Sequence, residues 1–133
     1  MSLLLRVLVR LAVLAFVVVA YRELVVPLMS EPGDPDIGAG LIAFGIIIII
    51  SFVWSAVDGR RSGLTSTAAC WAIVAVVFSL GWVVLLAVAE RDGSMSTRDA
   101  LSASLGLVPF TIVLVLVPSL VGAAIGQSLR RES

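Results

Sequence analysis

Few residues in this chain could do chemistry, and the first to stand out is a pair in an unexpected place. In the stretch AFVVVAYRELVVPLM, residues 15–29, Arg22 and Glu23 interrupt an otherwise apolar run. Ionisable residues at membrane depth point to a proton or cation pathway. The same residues at a helix exit only mark the membrane surface. Adjacent helical residues point about 100° apart, so the two do not pair with each other. Tyr21 and Pro27 flank them. That suits an interfacial exit, because aromatic rings gather at head-group level and proline ends helices. Upstream, Arg6 and Arg10 lie four residues apart on one helix face. Such a face would hold anionic lipid head groups or simply mark topology.

The rest of the polar inventory excludes more than it offers. There is no His, Asn or Lys, all nine basic residues are Arg, and Cys70 is the sole cysteine. These residues make no ligand set for zinc, haem or an iron–sulfur cluster, so no cofactor or metal is expected. A lone Cys forms no intrachain disulfide, and Cys70 reads as a small packing residue. No base accompanies any Ser or Thr hydroxyl, and no carboxylate pair lies at mid-span, so an enzyme is the least supported class. Net charge is zero with no basic stripe, which argues against nucleic acid as a partner.

The elements that must position these residues are apolar helices. Sixty per cent of the 133 residues are hydrophobic and 14% are charged, against about 25% charged in a soluble domain. Mean hydropathy is +1.16. About 20 apolar residues cross a bilayer core as a helix. Residues 37–57, 62–89 and 100–129 are uncharged and long enough to do so. The first span is awkward, because only 11 uncharged residues separate Arg10 from Arg22. Residues 1–20 could be a signal peptide with Val18-Val19-Ala20 as a loose cleavage site. The reading adopted is an anchor helix, with Arg6 and Arg10 snorkelling to one side and Arg22 to the other.

The expectation is therefore an all-α integral membrane protein, one domain over 1–133, with four transmembrane helices at about 4–25, 37–57, 64–89 and 101–127 in an up-down bundle. With the N-terminus inside, six Arg (6, 10, 60, 61, 130, 131) are cytoplasmic and three (22, 91, 98) lie outside, which makes both termini cytoplasmic. Trp54, one turn before Asp58, falls where an interfacial belt would put it. The Arg-, Ala-, Val- and Gly-rich composition suggests a GC-rich bacterial genome and hence a bacterial inner membrane. SEPGDPDIG reads as a tight acidic turn, DGRRSG as a minimal hairpin, and Ser96 as the cap of the last helix with Asp99 in its first turn. Short loops make sequential helices the expected neighbours.

Helix faces suggest where packing occurs. Ala39, Ala43, Ser51 and Ser55 share one i+4 row. Ala68, Ala72, Ala75 and Ser79 form another, and Gly122 and Gly126 make a G-x-x-x-G. Small residues let backbones approach, either within the bundle or against another subunit. Pro109 and Pro118 should kink the fourth helix and free the carbonyls of Leu105 and Leu114, with Thr111 and Ser119 close enough to satisfy backbone groups. Taken together, these features favour a non-catalytic accessory or structural subunit that contacts membrane lipids, anionic ones included, and packs against a larger membrane complex. The alternative is a small homo-oligomeric transporter or channel using Arg22 and Glu23.

Overall fold

In a bilayer every backbone N–H and C=O must be satisfied within the segment, so even a β-branched run such as IIIII at 46–50 becomes helix. The computed structural model describes residues 2–29, 37–89 and 96–132, and they are helical almost throughout. The sequence-stretches 30–36 and 90–95 lie outside the described residues, and with them the acidic turn and the charges Glu31, Asp34, Asp36, Glu90, Arg91 and Asp92.

Helix α1 runs over Leu3–Ala20, and Ser2 caps it by accepting from the Leu5 amide at 3.3 Å. A π-helical turn follows over Tyr21–Val25, and α2 continues over Val26–Met29. Pro27 does not end the helix here as its type suggests. Its ring would collide with the carbonyl four residues back. The π turn widens the helix just before it, the Val26 amide reaching five residues back to the Tyr21 carbonyl. The first span thereby extends over Leu3–Met29, 27 residues rather than the expected 22 or so.

Helices α3 (Ile37–Ser62) and α4 (Leu64–Ala89) have 26 residues each and are joined by Gly63 alone. Gly63 has φ +81°, and its amide bonds the Gly59 carbonyl at 3.1 Å, an αL helix cap. The expected hairpin DGRRSG is thus mostly helix. Asp58, taken as the end of a span, lies within α3.

The fourth span is split. Helix α5 (Thr97–Leu105) carries the Ser96 cap, whose hydroxyl accepts from the Asp99 amide at 3.3 Å, and α6 runs over Leu107–Glu132. Pro109 explains the break. It cannot donate to the Leu105 carbonyl, so α5 stops there and Gly106 makes the turn. Pro109 then falls in the first turn of α6, where an absent N–H costs nothing. Of the two prolines, only Pro118 lies in the interior of α6. The hydroxyls bond to backbone groups as expected: Thr111 donates to the Leu107 carbonyl at 2.9 Å and Ser119 to the Leu116 carbonyl at 2.8 Å.

Four helical spans cross in alternation, so both termini emerge at one end, the terminal end; the other is the distal end. Packing does not follow chain order. The most extensive contact joins α3 to α6, which run parallel, and α4 lies against α6. Helix α1 packs mainly on α4 and touches α3 sparingly. Glycine decides this arrangement. Had Gly126 a Cβ, it would stand 2.8 Å from the Ala56 carbonyl carbon. A Cβ on Gly59 would stand 2.8 Å from the Ala123 Cα. Backbones this close maximise dispersion, which drives helix association where lipid is as apolar as the side chains.

Candidate functional site

Part of the small-residue rows lies in this seam. Ser51 and Ser55 are fully buried, and an added Cβ on Gly122 would meet the backbone of Phe52 and the hydroxyl of Ser55. These residues, with Gly126, face each other within one chain and leave no open face there for another subunit. Ala39 is buried under Tyr21, and Ala43 lines a cavity described below.

The polar feature of the interior lies elsewhere. Arg10, seven residues into α1, stands about 10 Å inside the terminal end of its helix. It is not a lipid-facing basic residue. Its side chain is 6% exposed and forms a salt bridge with Asp58 of α3, itself 15% exposed. Both the Arg10 Nε, at 3.0 Å, and an Nη donate to Asp58 Oδ2. The other Nη donates to the Arg6 carbonyl at 2.6 Å. Trp71 of α4, with no exposed surface, donates its Nε1–H to the same Asp58 oxygen at 3.3 Å. The guanidinium carbon lies 5.6 Å from the Trp54 ring centre and 5.9 Å from that of Trp71, within cation–π range of both. Arg6 adds a second tie from α1 to α3, donating to the Ser62 hydroxyl at 3.2 Å.

This cluster shows how a charge is kept inside a membrane: a forked donor on a carboxylate, a third donor on the same oxygen, and two indole faces against the cation. Asp58 and Trp71 are site residues that the sequence does not announce. A usable signal was present in Trp54, one helical turn before Asp58, together with an acid and an Arg at matched depth on two spans. Reading charges as span ends hides it. Cys70 is buried beside the cluster.

At the distal end a different contact holds α1. The Tyr21 hydroxyl donates to the Ala39 carbonyl of α3 at 2.9 Å. Arg22 and Glu23 are both exposed on the π turn. Arg22 lines a cavity of about 210 Å³ between α1, α3, α4 and α6, and Glu23 does not. Among the described residues no three Cys, Asp or Glu side chains converge to hold a metal ion.

Comparison with known proteins adds no identity: no family model, no curated protein and no solved structure matches the chain. The geometry alone must carry the functional reading. Among the described residues it shows a multi-pass membrane protein with a buried ion pair toward its terminal end and an apolar cavity toward its distal end.

Proposed function

We propose that this chain is a non-catalytic accessory subunit that packs beside a larger complex in a bacterial cell membrane. The observation that supports it most is the Arg10–Asp58 pair. Transport sites present their ionisable groups to a water-accessible route. Here a buried cation and its anion neutralise each other beneath two indoles. The outside of the bundle is apolar along its length: Leu8, Phe16, Ile49, Val84 and Val117 are among its exposed large side chains. That surface suits lipid and the apolar flank of another membrane protein. Any cofactor would then belong to the partner.

Native mass spectrometry of the tagged chain, gently extracted from its own membrane, tests this. A hetero-complex of fixed stoichiometry is the expected result. A homo-oligomer without partners, whose purified form moves protons across vesicles and loses that activity on Glu23→Gln, would replace this reading with transport.

A further inference from the structure

The distal cavity reaches along α3 from Ala39 to Ile47, about 12 Å of helix. Its walls are almost wholly apolar, with Val18, Phe44, Ile47, Phe78 and Trp82 prominent, and it opens on one side. At Gly40, in the same wall, an added Cβ would meet nothing within 4 Å. Among the described residues no side chain fills that space. An apolar cavity of this kind does not hold water. In a bilayer its natural filling is hydrocarbon.

The rim adds a charge. Tyr21 and Arg22 border the cavity at the distal end, and the Tyr21 hydroxyl is already engaged by Ala39. Arg22 is left as an exposed, permanently charged, forked donor beside an apolar slot. A neutral helix docked there would leave the guanidinium against hydrocarbon. A molecule with an apolar tail and an anionic head satisfies both halves. We propose that this cavity binds one acyl chain of an anionic phospholipid from the distal leaflet, with its phosphate on Arg22. The site is separate from Arg6 and Arg10, at the opposite end of the bundle. The proposal also stands independently of the accessory-subunit reading, since it concerns the isolated chain.

The test uses the full chain released from nanodiscs that contain equal amounts of phosphatidylglycerol and phosphatidylcholine, followed by native mass spectrometry. One phosphatidylglycerol per chain should be retained, preferred over phosphatidylcholine by about fivefold, the worth of one interfacial basic residue. Arg22→Gln should bring the preference to about unity. Gly40→Leu should abolish retention while helicity and elution volume stay unchanged. Ala43→Leu is a second filling variant, should the first not fold. Retention that ignores head-group charge would overturn the proposal. So would retention that survives both filling variants, or a second copy of the chain on this face in place of lipid.

Discussion

Helices α3 and α6 are held in one way and α1 in another. Along the α3–α6 seam, Gly59, Gly122 and Gly126 bring two backbones together with almost nothing between them. Helix α1 packs mainly on α4 and is tied to α3 by two polar contacts, Arg10 on Asp58 and Tyr21 on Ala39, with a cavity near the second. The spacing of these anchors is unequal. Arg10 and Tyr21 stand about 16 Å apart along α1, whereas Asp58 and Ala39 stand about 28 Å apart along α3. A dispersion seam is continuous and indifferent to charge. A polar tether acts through a few atoms and fails if one is removed. The same bilayer imposes both, because burial of apolar surface cannot by itself hold one helix to another in lipid.

The comparison is broken most severely at the seam. Gly126→Leu drives a branched side chain into the Ala56 and Arg60 backbone, so it should remove the folded state altogether, as read by thermal melting in detergent. Gly126→Ala, one methyl, should cost about 1–3 kcal/mol. These substitutions report on the fold of the chain itself. A loss of partner binding in either would therefore say nothing about a docking face. Melting of Gly126→Leu within a degree of the wild type would mean that α3 and α6 do not approach as described.

At the tether, Asp58→Leu leaves the Arg10 guanidinium buried without its carboxylate and should cost about 3–5 kcal/mol. Arg10→Leu should cost a similar amount. The double variant should recover most of the loss, since removing both charges is far cheaper than stranding one. Cys70, the sole cysteine and buried beside the pair, gives a local readout. Its labelling by a membrane-permeant maleimide should quicken in either single variant and slow again in the double. Additive losses would show that the two residues act separately.

Much of the fold was legible because lipid leaves the backbone few options. Four apolar stretches of sufficient length must be helices, and the alternating directions follow from short connections. Local signals also read correctly where one residue decides the outcome, as with Ser96 and its acceptor role at the start of α5. Harder to see was anything set by one helix meeting another. Asp58 sits four residues from the end of α3, and a charge near a span end looks like a boundary. Only the neighbouring helices reveal it as the acceptor for Arg10 and Trp71. The rows of small residues were visible, but not their partner, because parallel spans two apart in the chain can pack more closely than adjacent ones. Proline was the other source of error. Pro27 and Pro109 have the same chemistry, yet a π turn accommodates one and a helix break the other.

A smaller effect sharpens the picture of the distal tether. Tyr21→Phe keeps the ring and removes only the bond to the Ala39 carbonyl, so it should cost about 1 kcal/mol in detergent melting. It should leave Cys70 labelling unchanged, because the thiol lies at the other end of α1. Faster labelling in this variant would mean that the two ends of α1 release together and are one tether rather than two.

A change of similar size runs in the opposite direction and tests the seam. Ser51 and Ser55 occupy successive turns of α3 and are equally buried, but only Ser55 has a hydrogen-bond acceptor, the Phe52 carbonyl at 2.9 Å. The Ser51 hydroxyl is without a partner among the described residues. A buried hydroxyl left unpaired costs about 1–3 kcal/mol. Ser51→Ala should therefore raise stability by about 1 kcal/mol, since alanine fills nearly the same space and strands nothing. Ser55→Ala should lower it by a comparable amount, about 1 kcal/mol, through loss of a satisfied bond. Opposite signs from two serines on one face would show that the seam is held by backbone proximity, with side-chain polarity tolerated rather than required. If Ser51→Ala were destabilising instead, its hydroxyl would have an acceptor in the membrane, and the seam would owe part of its strength to the same polar bonding that holds α1.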